Sequence, residues 1–288
     1  MKKKSLFVIL QLLCLTALSQ PYVDPLQIRY TLATRSSGQS RGTPFSHLWI
    51  GSDIPVELKT KTYLLLSPYY ESWQIDSAKV KNSIPHVQGL VLPVGVLLPL
   101  KNPKWMLSLT GIVRSNGENL FGKNTFQGGG AGFLSYEKSP GKKWRFGVYV
   151  NTDFFGLFVM PLVGVDWKIN DRNYMFGLLP GRFTFEHRFN KSLYGGFTFR
   201  AITSSFRLAN GPYARIDDNQ LSAFLDVYPA KKFCLTLEPG FGIMRKLRTG
   251  IQEKKYLTDG KWGDGFFIKI SAAFRIRFSN TETTKGTK

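Results

Sequence analysis

Residues 266–278 read FFIKISAAFRIRF, and this stretch decides the fold. Every second residue from Phe266 to Phe278 is apolar. The interleaved positions, which begin at Phe267, are mostly polar or charged and include Lys269, Arg275 and Arg277. Because successive side chains of a β-strand point to opposite faces, the stretch predicts a strand with one apolar face and one largely polar face.

The same alternation recurs along much of the chain. A strand of a soluble β-sandwich would show a similar pattern once, but many such strands are typical of a transmembrane barrel with an apolar outside and a polar lumen. The sequence therefore predicts an all-β protein, an antiparallel up-and-down transmembrane β-barrel. The further alternating stretches are 105–113, 144–151, 159–168, 193–201, 221–227 and 233–243.

Residues 1–19 have the features of a secretory signal peptide. Lys2 to Lys4 are positively charged, Leu6 to Leu15 form a short apolar run, and Ala17-Leu18-Ser19 places small residues where a signal peptidase reads them. The run is shorter than the roughly 20 residues that a membrane-spanning helix needs. We therefore expect cleavage near Ser19, a barrel over residues 20–278, a polar periplasmic tail over 279–288, and a location in the cell outer membrane.

The connections between strands test this topology, because short periplasmic turns should alternate with longer outer loops. Residues 170–173 and 190–192 are both short and polar, so both should be inner turns, and a hairpin must lie between them. Pro180-Gly181 is a suitable turn, because the apolar residues change there from even positions, such as Phe176, to odd positions, such as Phe183. We call the set of alternate positions that a strand uses for its apolar residues its apolar parity, and the other set its polar parity. A similar change occurs near Gly156. The count is about fourteen strands with both ends in the periplasm, and twelve strands is the open alternative.

Several segments resemble a known family. They are the opening Gln20-Pro21-Tyr22-Val23-Asp24, the segment Phe176–Gly181 that leads into Phe183–Phe189, and the closing aromatic strand. Together with the basic signal, they resemble outer-membrane β-barrels of Bacteroidetes-type bacteria, within a family known only as a domain of unknown function. The resemblance covers nearly all of the chain after the signal. It implies a barrel and brings no catalytic residues. The polar tail after Phe278 departs from a barrel that ends on an aromatic residue.

The polar parity of the strands places charged side chains in the lumen. Buried charges must pair to avoid a large desolvation cost, so we expect a cross-linked ion-pair network, with a narrow pore as the alternative. If the lumen conducts, its slight basic excess favours anions. The basic candidates are Arg145, Lys168, Arg188, Arg200, Lys269, Arg275 and Arg277, and the acidic ones are Asp153, Asp166, Glu186, Asp226 and Glu238.

No catalytic residue, cofactor or metal site is expected. His187 lies on the lipid-facing parity, and a nearby Ser192 at a turn does not supply a nucleophile, base and orienting group. Cys234 has no CxxC partner. We interpret Asp217-Asp218-Asn219 as a solvated loop, because a full series of calcium ligands is missing. Gly128–Gly130 is interpreted as a site of curvature or close packing in a strand.

The net charge of +20 raises the question of an anionic partner. Export argues against nucleic acid, which leaves lipid phosphates and acidic glycans. One hypothesis is that a basic group around a long outer loop meets outer-leaflet lipid or lipopolysaccharide, and the alternative is a solvated charge run. The barrel assembly machinery is the other expected partner, and the oligomeric state stays open. The basic group is Arg245, Lys246, Arg248, Lys254 and Lys255.

Three classes of function remain open from the sequence. The first is a narrow pore or transporter for small, anionic solutes. The second is a non-conducting envelope barrel that binds partners through its outer loops. The third is an outer-membrane lipid hydrolase that would use His187.

Overall fold

A computed structural model describes residues 21–33, 43–59, 61–75, 84, 86–209, 211–253, 255–261 and 263–278. The expected signal peptide and polar tail lie outside these residues. Among them, no helix is long and apolar enough to cross a membrane. The strands belong to one sheet and are β1 (Tyr22–Ala33), β2 (Phe45–Gly51), β3 (Ile54–Lys59), β4 (Thr62–Leu66), β5 (Tyr69–Ile75), β6 (Val87–Pro99), β7 (Trp105–Gly117), β8 (Phe126–Ser139), β9 (Lys142–Asp153), β10 (Gly156–Lys168), β11 (Asn173–Leu179), β12 (Arg182–Arg188), β13 (Leu193–Arg207), β14 (Tyr213–Ala230), β15 (Phe233–Gln252), β16 (Lys255–Lys261) and β17 (Gly265–Arg277).

The first and last strands close the sheet into a barrel. β1 and β17 pair antiparallel from Tyr22 opposite Arg277 to Ala33 opposite Phe267. β2 and β3 are two parts of one wall strand, and so are β4 and β5, because each part pairs with its counterpart in the neighbouring strand. β16 pairs with β15 alone, as a hairpin beyond the wall. The described wall therefore has 14 antiparallel strands, which confirms the predicted fold class and the larger of the two expected counts.

Both predicted hairpins are present, but the change of apolar parity expected at Pro180-Gly181 does not occur, because Phe176 is buried and lies opposite the buried Thr184. β11 pairs with β12 across Pro180-Gly181, and β9 pairs with β10 across Phe154-Phe155. β11 and β12 have only 7 residues each, whereas β14 has 18 and β15 has 20. The wall is therefore low around the Pro180-Gly181 turn and tall on the β14–β15 side.

The alternation of the closing strand separates an outer from an inner face. Phe266 is 68% exposed and Ile270 is 58% exposed, whereas Lys269 and Arg275 are buried. Apolar side chains on the other wall strands continue this outer belt. Contact of such a continuous apolar belt with lipid is favourable, whereas its exposure to water would cost free energy. Further members of the belt include Val113, Val148, Val159, Phe197, Leu225 and Leu237.

The outer end of β13 stays paired with β14 as far as Arg207 opposite Tyr213, and its other edge reaches β7 across the barrel. Arg207 pairs in parallel with Gly117 of β7, although β8 to β12 lie between the two strands along the wall. The backbone N–H of Glu118 donates to the carbonyl of Arg207 at 3.0 Å. Ser204, Ser205 and Phe206 are all buried, although neighbouring strand residues face opposite sides. A segment buried on both faces lies inside the barrel.

Phe206 joins an apolar cluster, which we call the outer plug, inside the outer half of the barrel. Its residues come from the outer ends of β1, β2, β5, β6, β14, β15 and β17 as well as β13, and from Ile84 before β6. The plug therefore fills space inside the outer half of the barrel, among the residues that the structure describes. Its members are Ala33, Phe45, Trp73, Ile75, Ile84, Val87, Phe206, Ala214, Ile216, Leu247 and Phe267.

Candidate functional site: the charged lumen

Arg275 is the centre of the ion pairs that lie near the inner end of the lumen. Its Nε and Nη2 donate to the two carboxylate oxygens of Asp24 at 2.6 and 2.8 Å. Its Nη1 donates to Asp226 Oδ2 at 2.5 Å, and Thr236 donates to the other Asp226 oxygen at 2.6 Å. These bonds join β1, β14, β15 and β17 through side chains, in addition to the backbone ladder.

Arg277 makes a second junction that reaches across non-adjacent strands. Its Nη1 and Nη2 donate to the two oxygens of Glu186 on β12 at 2.9 and 2.7 Å. Its Nε donates to the hydroxyl of Tyr228 at 2.7 Å, and its guanidinium lies 3.5 Å from the ring centroid of Tyr194. Paired donors matched to two carboxylate oxygens give both strength and a fixed geometry.

Lys269 carries the network toward the outer plug. Its Nζ lies 2.6 Å from Glu238 Oε1, which also accepts from Ser222, and 3.0 Å from Gln220 Oε1. Gln220 Nε2 in turn donates to Asp218 at 2.7 Å. Each carboxylate in this chain has a cationic partner, Lys269 for Glu238 and Arg245 for Asp218, so its charge is neutralised locally.

The β8–β10 side of the lumen holds four of the other predicted side chains. Arg145 Nε lies 2.8 Å from Asp166 Oδ2, and Asp153 accepts from Ser205 Oγ at 2.9 Å. Lys168 lies at the inner end, 2.6 Å from Asp171. The hydrogen bond from Lys168 lowers the pKa of the Asp171 carboxyl, which is in the solvated turn.

Arg188 is exposed at the inner mouth, where it lines a surface depression with Glu186 and Arg277. A further cavity of about 240 Å³ lies at the inner end, on the β3–β9 side. Arg145 is one of its lining residues, together with Asp53, Lys104 and Glu137. The inner half of the lumen is therefore polar and partly hollow, in contrast to the outer plug.

Three arginines line one cavity in the middle of the lumen, and we call them the arginine triad: Arg29, Arg182 and Arg200. Arg182 and Arg200 are directly opposite each other on β12 and β13, and Arg29 projects from β1. The Arg29 guanidinium lies 4.4 Å from the Trp49 ring centroid, and Arg182 Nη2 donates to the Tyr22 hydroxyl at 3.4 Å. Within the described parts of the chain, none of the three forms an ion pair with a carboxylate.

Sequence reasoning identified Arg200 and missed the other two members of the triad. A signal for Arg29 was present, since Gln27, Arg29 and Thr31 alternate with three apolar residues. Arg182 directly follows the Pro180-Gly181 turn, where the alternation begins again. Its parity with Thr184 and Glu186, which are buried, would have placed it in the lumen.

The prediction of a solvated loop at Asp217-Asp218-Asn219 is wrong. These residues are in β14, and the connection before that strand spans only 208–212. Asp217 accepts from Arg215 at 2.9 Å and from Arg248 at 2.9 Å. Asp218 is fully buried, 2.7 Å from Arg245 Nε. In a sequence, neighbouring carboxylates usually indicate a solvated loop. Here the facing arginines offset the desolvation cost of the carboxylates, so these residues can lie in a strand inside the barrel.

The same pair corrects the hypothesis about the outer basic group. Arg245 is buried against Asp218, so it does not meet lipid phosphates. Arg248 lies between Asp217 and Asp259, and its hydrogen bond lowers the pKa of the exposed Asp259 carboxyl. Lys254 lies outside the described residues, which leaves Lys246 and Lys255 as the members with no acidic partner among the described residues.

The other residues considered in the sequence, His187 and Cys234, contact side chains that hold them in place. His187 Nδ1 lies 2.7 Å from Asn173 Oδ1, and its ring meets Phe189 edge-on. Cys234 is a buried free thiol beside Tyr194 and Tyr228. In the described ranges, no group of three His, Cys, Asp or Glu side chains could hold a metal ion.

Two of the glycines in Gly128–Gly130 are packed closely, as the sequence indicated. A Cβ on Gly129 would lie 2.6 Å from the carbonyl oxygen of Val150, and one on Gly130 would lie 2.9 Å from that of Thr110. A Cβ on Gly128 would meet nothing within 4 Å. The close approach of backbones therefore depends on the second and third glycines and not on the first.

A closed wall, an apolar outer belt and a charged interior define the protein as an outer-membrane β-barrel. No protein-family model and no curated relative matches the chain.

Solved structures with a similar architecture are barrels of the outer membrane. The COG4313 outer membrane channel from Pseudomonas putida F1 has 8% sequence identity and a TM-score of 0.48, over 89% of this chain and 97% of that chain. The TodX monoaromatic hydrocarbon channel, as a deltaS2 mutant, has 9% identity and a TM-score of 0.33, over 88% and 90%. Salmonella typhi OmpF, in complex with daunomycin, has 10% identity and a TM-score of 0.31, over 87% and 96%.

Proposed function

We propose that the protein provides a narrow passage for small anionic solutes across the outer membrane, closed in this conformation by the outer plug. The observation that carries the proposal is the uncompensated positive charge of the arginine triad at mid-lumen. The carboxylates Asp226 and Glu238, which line the same cavity, are already paired with Arg275 and Lys269. A constriction lined by unpaired guanidinium groups attracts anions and repels cations.

Passage through the lumen requires the outer end of β13 to move, because Phe206 fills the space beneath the outer rim. The other face of this segment is held by a few polar contacts. Ser205 Oγ accepts from Gln127 Nε2 at 2.8 Å and donates to Asp153, while Asn116 Nδ2 donates to the Ser205 carbonyl at 3.1 Å. Hydrogen bonds of this kind each contribute about 1 kcal/mol net, and opening must also expose the buried Phe206, so the open state should be rare.

Planar-bilayer recording of the purified barrel tests the proposal. We expect infrequent openings, with a reversal potential in a potassium chloride gradient that reports a preference for chloride. Arg200→Gln should reduce that preference, because it removes one triad charge at the constriction. Arg188→Gln removes an equal charge at the exposed inner mouth and should change the preference less. A folded barrel that stays silent, or one that prefers potassium, contradicts the proposal.

A non-conducting envelope barrel that binds partners through its outer loops is the second candidate. The outer plug favours it, because the apolar cluster fills space inside the outer half of the described barrel. Outer-leaflet lipopolysaccharide remains a proposed partner for Lys246 and the exposed Lys255, and the barrel assembly machinery remains one for the closing strand. Silence in the bilayer, together with lipopolysaccharide binding that is weakened by Lys255→Gln, would support this candidate over the first.

A further inference from the structure

We infer that Arg29, Arg182 and Arg200 form a binding site for one small inorganic anion of about the size of chloride. The site deepens the proposed function, and its role in passage rests on that function. Binding itself requires only the closed barrel described above. It is therefore open to a measurement in which no ion crosses a membrane.

The cavity has the size and the donors for such an ion. Its volume is about 30 Å³, and about 10–15 Å³ of such volume is enough to hold one water molecule. A monatomic anion fits this space, whereas gluconate does not. Besides the triad, the lining includes the hydroxyl of Ser271, whereas the Thr198 hydroxyl already donates to the carbonyl of Phe183 at 3.1 Å. Hydroxyl and guanidinium groups are both hydrogen-bond donors, as an anion needs.

The three positive charges of the site would be stabilised by a bound anion. A guanidinium stays protonated at any ordinary pH, so the triad cannot lose its charge by giving up protons. Arg29 is buried and Arg200 is half-buried, whereas Arg182 is exposed at the start of β12. Charges held away from water are destabilised unless they are paired. The Nε of Arg200 is buried and has no hydrogen-bond partner, which shows that the protein leaves a donor unused at this position.

The carboxylates in the cavity do not meet this need. Asp226 is held by Arg275 and by Thr236, at 2.5 and 2.6 Å. Glu238 is held by Lys269 and by Ser222, both at 2.6 Å. Neither lies within ion-pair distance of a triad guanidinium. An anion from solution is therefore a group that can offset part of the charge of the triad.

The test is the thermal unfolding of the purified barrel in detergent, in sodium bromide and in sodium gluconate at equal ionic strength. Equal ionic strength holds the screening of surface charges constant. Bromide at about 100 mM, if it binds with a dissociation constant near 10 mM, should raise the unfolding midpoint by about 3 to 5 °C over gluconate. Arg200→Gln should abolish this difference, and Arg188→Gln, at the exposed mouth, should keep it.

Arg200→Gln should also unfold at a higher temperature than the wild type in gluconate, because it relieves repulsion among the three cations. This reversal separates anion binding from a structural role, since loss of a structural arginine lowers the midpoint in both salts. Arg182→Gln repeats the test if Arg200→Gln does not fold. Coincident wild-type midpoints in the two salts, or a bromide shift that survives in both triad variants, would overturn the site. A bromide shift in a barrel that is silent in bilayers would keep the site and reject the passage.

Discussion

Arg275, on the last strand, donates two hydrogen bonds to Asp24, on the first, at 2.6 and 2.8 Å. The seam at which the two ends of the chain close the barrel thus has a buried ion pair beside its backbone ladder. Arg275 also holds Asp226, so a single guanidinium is shared by two carboxylates, and Arg277 lies 3.9 Å from Asp226 as a second cation.

Arg275→Met should therefore destabilise the barrel strongly, because it leaves Asp24 and Asp226 without their main cationic partner. Breaking a buried pair from one side costs about 3–5 kcal/mol. Asp24→Asn should cost less, since Arg275 keeps Asp226. Urea unfolding in lipid vesicles, followed by tryptophan fluorescence, measures both. Equal losses for the two variants would show that the seam does not depend on the shared arginine.

Phe206→Ala should loosen the outer plug. Phe206 is fully buried, and truncation of a buried Phe costs about 3–5 kcal/mol and leaves a cavity. With the plug weakened, we expect channel openings in planar bilayers to become more frequent. Phe197→Ala is the matched control, because Phe197 is on the same strand and is 67% exposed on the outer belt. More frequent openings in the control, or none in Phe206→Ala, would argue against the plug as the closure.

The wall of this barrel could be predicted from sequence because the environment of each strand imposes a period of two. Lipid selects Phe266, Ile268 and Ile270, and the lumen selects Lys269 between them. The Pro180-Gly181 hairpin followed from the count of short and long connections, whereas the structure keeps one parity across it, with the buried Phe176 opposite the buried Thr184.

The outer end of β13 could not be predicted in this way. Ser204, Ser205 and Phe206 are buried on both faces, and a segment inside the barrel has no lipid-facing parity to reveal it. The pairing of Arg277 with Glu186 was equally hidden, because it joins strands that are not neighbours in the wall. Such contacts depend on the barrel diameter and on side-chain length, and the alternation of apolar and polar residues contains no information on either.

Gly130→Ala should impair folding, and Gly128→Ala should not. A methyl group at Gly130 would lie 2.9 Å from a backbone oxygen of the neighbouring strand, which cannot move away without disturbing the sheet. Overpacking of this kind costs about 1–3 kcal/mol. The folded fraction after refolding, measured as the heat-modifiable band on a gel, compares the two variants. A similar folded fraction for both would mean that the sheet widens to admit the methyl group.

Cys234 should resist maleimide in the folded barrel and react once the barrel is unfolded. Its thiol is fully buried beside Tyr194, Tyr228 and Ala273, so the reagent cannot reach it without a local opening of the wall. A Lys255→Cys variant on a Cys234→Ser background is the control, because Lys255 is exposed on the outer hairpin and should react at once. Slow labelling of Cys234 under native conditions would then measure opening of the β14–β15–β17 wall, and labelling as fast as that of the control would show that the thiol is not enclosed.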